Sequence, residues 1–124
     1  MDFALSLPES CRPYLRNTRV ELSAMINRRL PWFKALLIGG FGAVMFKQLR
    51  AAGLATNRGF AGVYDFHRWS RFPQYLPRFV DCLPDANGLL VTHPGGTEQW
   101  RLQEFETLRR FSFPEGRPNR FLKP

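Results

Sequence analysis

The sequence is poor in the residues that most often carry metal and thiol chemistry: it has two cysteines and two histidines in 124 residues. Cys11 and Cys82 lie far apart, and neither belongs to a CxxC or Cys/His cluster, so no zinc site of that kind is implied. With nothing else to suggest export, free thiols and a cytoplasmic location are expected. The stretch MDFALSLPES lacks a basic n-region and a full apolar h-region, which argues against a signal peptide. Long apolar runs are missing too. The uncharged stretch from Ala35 to Phe46 is closed by Lys34 and Lys47 and falls short of the roughly 20 residues a membrane span needs. A buried helix is expected there, and no transmembrane segment. GGFG at 39–42 looks like a phosphate loop, but no GK[ST] follows and no strand clearly precedes it. The chain shows no internal repeat and no low-complexity block.

Lysine is scarce as well. Only three of the 18 basic residues are lysine, the rest arginine, and the net charge is +8. Such a balance suits anionic partners such as nucleic acid, acidic glycans or anionic lipid. The arginines are scattered, however, which fits an Arg-rich composition better than a binding stripe, so nucleic acid is not the expected partner. An apolar share of 44%, with 12 Phe, 3 Trp and 3 Tyr, argues for a folded chain. The length suits a single domain with a modest core.

Residues 1–13 are turn-rich, with Pro8 and Pro13, and PYLRNTRVEL (13–22) has an extended look. Pro31 suits the first turn of a helix that runs to Gly53, with Arg50 and Gly53 forming a C-terminal stop. Gly39, Gly40 and Gly42 weaken that helix, allow close packing, or split it. GFAGVYDF (59–66) reads as a short strand. Between 70 and 88, Phe72, Tyr75, Leu76, Phe79, Val80 and Leu83 fall on one helical face. Ser70 is placed to cap that helix, Pro77 to kink it, and Pro84 and Gly88 to end it. GLLV (88–91) reads as a strand buried on both faces. Thr97 is placed to cap a last helix in which Leu102, Phe105, Leu108 and Phe111 recur at every third position, and Glu106 precedes Arg110 in the favourable order. The tail from 113 to 124, with three prolines, is expected to be loosely held. The order strand, helix, strand, helix, strand, helix is an α/β pattern. Three parallel strands are few for a complete domain.

His93 ends the GLLVT run before Pro94, Gly95 and Gly96. In parallel α/β folds the sites sit at the carboxyl ends of strands. Imidazole titrates near neutral pH and suits general acid or base work. A ring that merely bonds a nearby backbone group fits the spacing equally well.

Three motifs together resemble one family. THPGG followed by RLQEFETL is similar to the end of the YdjC-like (ChbG/HpnK) carbohydrate deacetylases. There a strand ends in His-Pro-Gly and a helix opens with Arg-x-x-Glu and a later Leu, matched by His93, Pro94, Gly95, Arg101, Glu104 and Leu108. LRAAGLATNRGFAGVYDF matches a Gly-Leu, Asn, Phe-x-Gly segment at Gly53, Leu54, Asn57, Phe60 and Gly62. RPYLRNTRVEL matches a Pro-Tyr-x-Arg strand at Pro13, Tyr14 and Arg16. The resemblance covers roughly residues 12 to 112. It implies a TIM-barrel-like (β/α) fold and hydrolysis of N-acetyl groups on amino sugars or sugar-lipids by water bound to a divalent metal, Mg or Zn. It also implies metal ligands, an Asp and two His, with a second Asp as base, in a part of the family that this sequence does not match. The only histidines are His67 and His93, and Asp2 stands alone. The expectation is therefore one partial domain over 1–124, the carboxyl-terminal half of a barrel, with no metal ligands of its own and no activity alone.

On that reading His93 is the catalytic acid or a support for the site. Arg16, Phe60, Gly62, Pro94 and Gly95 bind substrate or support the site, although an ion pair is equally natural for Arg16 and a core position is the favoured reading of Phe60. Arg101 and Glu104, one helical turn apart, pair with each other, and His67 is a surface residue. Unpaired strand edges would make the isolated chain marginally stable or prone to oligomerise, with an amino-terminal half or a second copy as partner. The competing readings are a nucleic-acid-binding module, whose affinity would fall steeply with salt, and a membrane-surface protein using residues 30 to 46.

Overall fold

A computed structural model describes residues 6–8, 11–27, 29–30 and 32–114. Among the described residues, four α-helices, a short 3-10 helix and two strands follow one another: α1 (Leu22–Asn27), α2 (Trp32–Ala51), β1 (Gly59–Ala61), the 3-10 helix (Phe66–Arg71), α3 (Phe72–Cys82), β2 (Gly88–Leu90) and α4 (Gln99–Arg110). The architecture is mixed α/β. β1 and β2 pair in parallel, with Gly59 opposite Gly88, Phe60 opposite Leu89 and Ala61 opposite Leu90. Arg58 N–H donating to Asn87 O (2.8 Å) and Val91 N–H donating to Ala61 O (3.0 Å) extend the pairing at either end. Parallel strands need a long crossover, and the 3-10 helix with α3 supplies it.

Both strands are shorter than their sequence suggests. β1 stops at Ala61 because Gly62 takes φ +109°. A Cβ there would lie 2.0 Å from Val91 O, so only glycine lets the two strand ends come this close. β2 is not buried on both faces as its apolar run implies: Gly88 is exposed, and Leu89 and Leu90 are half-buried. A two-stranded sheet has too few layers to cover it.

The extended segment 13–21 is not a strand. It lies beside residues 54–57, with one backbone bond from Leu15 N–H to Ala55 O (2.9 Å). The next contacts pass through two buried asparagines. Asn57 Oδ1 accepts from Asn17 N–H (2.9 Å), Asn17 Nδ2 donates to Asn57 O (2.6 Å), and Asn57 Nδ2 donates to Asn17 O (2.9 Å). Side-chain amides thus take the place of a backbone ladder, which is why a third strand is absent here.

α2 starts directly after Pro31 and ends as expected at Gly53, whose φ is +67°. Gly53 N–H donates to Arg50 O (3.1 Å) and Leu54 N–H to Leu49 O (3.0 Å), and buried Leu49 and Leu54 pack together. These are the two bonds and the apolar contact of a Schellman stop. α1 ends in the same way, except that Arg29 holds the left-handed position at φ +53°. Gly39 and Gly42 permit close packing, Gly40 faces open space, and none of the three splits the helix. A Cβ on Gly42 would lie 2.3 Å from the backbone of Thr18, so the helix rests there directly on the extended segment. The expected burial of α2 holds for that side alone. Leu37, Phe41 and Val44 are 61%, 84% and 60% exposed.

In α3, Phe72, Tyr75, Leu76, Phe79 and Val80 are all buried, as their spacing predicts. They form the main core with Met25, Leu30, Ala61 and Tyr64, flanked by Leu90, Leu108 and Phe111. Ser70 does not cap α3. The 3-10 helix runs into it, Arg71 occupies the cap position, and Asp65 caps the 3-10 turn by accepting from His67 N–H (3.2 Å). The helix continues across exposed Pro77 and ends at Cys82.

α4 begins after Glu98 rather than Thr97, with no side-chain cap. Its three-residue repeat faces the core only in its second half: Leu102 and Phe105 are exposed, while Leu108 and Phe111 pack against the core. Steps of three drift around a helix of 3.6 residues per turn. The side that packs is instead Trp100, Glu104, Leu108 and Phe111. Glu106 does reach Arg110 (3.4 Å), and also Arg109 (3.0 Å). Phe113, the first residue of the expected loose tail, packs edge-on against Phe111. Asp2 and residues 115–124 lie outside the described residues.

Candidate functional site

The carboxyl ends of the two strands converge on one acid. After β1 the chain runs through Gly62 and Val63 to Tyr64, and after β2 through Val91 and Thr92 to His93. Glu104, on the inner side of α4, is fully buried between them. Tyr64 OH donates to Glu104 Oε1 at 2.6 Å, and the backbone N–H of His93 donates to Glu104 Oε2. A buried carboxylate is tolerated when both oxygens are satisfied, and here the pair of bonds pins both strand ends to α4. The Tyr64 hydroxyl is held protonated: burial raises its pKa first, and the bond to Glu104 and the charge of Glu104 add to the effect.

The anchored backbone leaves the His93 ring outside, with its side chain 42% exposed and Nδ1 4.0 Å from Glu104 Oε1. Around it is a cluster of rings. Phe66 stacks on Trp100 with centroids 4.4 Å apart. His93 meets Phe66 edge-on at 5.6 Å and Trp100 at 5.8 Å. Tyr64 supports Phe66 from below at 5.2 Å, and the Arg101 guanidinium lies over Trp100 at 4.6 Å. Phe66 is 41% exposed. The arrangement is an aromatic surface with an imidazole at its edge and a cation on its flank. Such a surface can stack a planar or sugar ring, and imidazole can exchange a proton with it.

The expected site residues separate on this geometry. His93 lies at the cluster, and Pro94 and Gly95 form the exposed turn that follows, with Gly95 at φ +100°. Gly62 acts behind it, as the close-approach point between the strands. Phe60 is a buried strand residue rather than a member of the ring cluster, and Arg16 is an exposed residue of the extended segment. Arg101 and Glu104 do not pair. Arg101 Nε sits 3.3 Å from Glu98 Oε2, at an angle that gives an ion pair without a hydrogen bond. Glu104 is turned inward to Tyr64 and His93. Its place was signalled by its position on the Trp100, Leu108, Phe111 side, an acid inside an apolar face. Phe66 and Trp100 carry no sequence pattern that joins them, because they meet only through the crossover. His67 is exposed, as expected.

Among the described residues no group of three or more His, Cys, Asp and Glu side chains could hold an ion, and the carboxylate nearest His93 is occupied by two donors. A shallow depression of about 290 Å³ lies elsewhere on α4, lined by Pro73, Gln103, Glu106, Thr107, Arg110 and Phe111, with none of the ring cluster in it. Among the described residues, no helix is long and apolar enough to cross a membrane. Compared with known proteins, the chain matches no protein-family model, no curated protein and no solved structure.

Proposed function

We propose that this chain is the carboxyl-terminal portion of a YdjC-like carbohydrate deacetylase, a partial TIM-barrel-like (β/α) unit whose ring cluster receives an N-acetylated sugar or glycolipid. One observation carries the reading: His93, in its His-Pro-Gly turn, stands at the carboxyl ends of two parallel strands beside the exposed Phe66–Trp100 stack, and Glu104 of the Arg-x-x-Glu segment fixes its backbone. Sugar rings present apolar C–H faces that stack on such aromatics. In hydrolysis of the amide, water gives a proton to a base as its oxygen bonds to the acetyl carbon; the resemblance places that base in the part of the family that this sequence does not match. The C–N bond breaks, and the leaving nitrogen takes a proton. His93 is the group placed to give that proton. Glu104 and Tyr64 are positioning residues, since they hold the loop and not the substrate.

The test is titration of the chain with chitin oligosaccharides, followed by Trp fluorescence and amide NMR shifts. Saturable shifts centred on His93 and Trp100, lost in Trp100→Ala, are expected. Saturating oligosaccharide without any shift at those residues would end the sugar reading.

A further inference from the structure

Helix α2 turns its least covered side outward, and that side is apolar. Its packed side is Gly39, Gly42, Phe46 and Leu49. Arg19 lies over the Phe46 ring at 4.6 Å, and Thr18 Oγ1 donates to Ile38 O (2.9 Å). Opposite run Leu37, Phe41 and Val44 at i, i+4 and i+7, flanked by exposed Leu36, Ile38 and Met45. Together they make a continuous apolar patch along a rod of about 30 Å, the kind of surface that marks an interaction site.

Charge decides what covers it. From Leu22 to Tyr64 the chain carries six basic residues, Arg28, Arg29, Lys34, Lys47, Arg50 and Arg58, and no acidic one. This third of the sequence therefore holds most of the net charge of +8. Arg29, Lys47, Arg50 and Arg58 are exposed. A second copy would bring this region against its own like charge, with no carboxylate from α2 on either side to answer it. An anionic lipid surface meets both needs, because headgroups take the cations and the acyl boundary takes the apolar side chains. With one side resting on the rest of the protein, the helix is suited to lie in the interface plane.

We propose that α2 docks the protein on anionic lipid bilayers, with Leu37, Phe41 and Val44 entering the headgroup–acyl boundary. The inference rests on none of the sugar chemistry above. It is tested by co-sedimentation of the full chain with vesicles of phosphatidylcholine alone and of phosphatidylcholine mixed with phosphatidylglycerol. Binding to the mixed vesicles and not to the neutral ones is expected, weakening as salt rises. Phe41→Asp should lower that binding about tenfold or more, and Lys47→Glu with Arg50→Glu should lower it comparably, while thermal melts stay close to that of the parent chain. Three results overturn the proposal: no binding to the mixed vesicles, equal binding by Phe41→Asp, or a dimer in light scattering that Phe41→Asp turns into a monomer. The last would assign the face to a second copy.

Discussion

Helices α2 and α3 are both rich in large apolar residues and use them in opposite ways. α3 buries Phe72, Tyr75, Leu76, Phe79 and Val80 against α1, β1 and α4. α2 meets α1 and an extended segment, and leaves Leu37, Phe41 and Val44 in solvent. The pattern differs as well as the number of neighbours: α3 is apolar on one face, which its neighbours cover, whereas α2 is apolar nearly all round and meets fewer elements. Burial is a property of what surrounds a side chain, and among the described residues α3 has a sheet to pack on and α2 has none.

The contrast is broken or upheld most directly by truncating one ring in each helix. Phe79→Ala should destabilise the fold by about 3–5 kcal/mol, as expected for an aromatic removed from a packed core. Phe41→Ala should stay within about 0.5 kcal/mol. Urea unfolding of the two variants measures both, and similar losses would mean that α2 is covered after all.

A somewhat smaller effect sharpens the picture of the region around α3. Glu104→Ala leaves the Tyr64 hydroxyl and the His93 amide without an acceptor, a loss of about 3 kcal/mol; Glu104→Gln, which keeps one acceptor, should lose about half as much. The same node has a pH signature. The folded chain holds the Tyr64 proton more tightly than the unfolded chain, where the pKa is 10.0. Its contribution is therefore complete below that value and is lost as pH climbs above it. Tyr14, also raised by burial, acts in the same direction. Thermal melts taken from neutral pH to about 11 should fall less steeply for Tyr64→Phe than for the parent chain. An unchanged alkaline slope would show that burial and the bond to Glu104 do not hold that hydroxyl protonated.

The smallest effect belongs to the region around α2. Arg29 occupies the left-handed position that Gly53 occupies at the end of the next helix. Arg29→Gly should raise stability by about 0.5–1 kcal/mol, read as a higher unfolding midpoint. A loss would mean that the arginine side chain makes a contact worth more than its backbone strain.

What the sequence revealed was local. The α3 face was legible because its period matches the helix, and Gly53 was legible as a stop because its chemistry needs no partner from elsewhere. GLLV was readable as a strand, but its exposure depended on how many strands lie beside it. The extended segment 13–21 was readable in conformation and not in pairing, since Asn17 and Asn57 are 40 residues apart. At the site, His93 stood out from its turn. Glu104 was assigned to its neighbour in sequence because an Arg three positions away is an obvious ion-pair partner. Its real partners come from the ends of both strands. The Phe66–Trp100 stack, formed across the crossover, had no local signal.

Gly42 has a further consequence for α2. A helix that rests on a neighbour through side chains can roll, exchanging one rotamer for another. Here the contact is backbone on backbone, and a Cβ in place of the Gly42 hydrogen would overlap Thr18. Rolling α2 about its axis would carry the Cβ of Phe41 or Ala43 toward that point. The helix is therefore indexed, like a key with one flat side, and the direction in which Phe41 points is set from the opposite face.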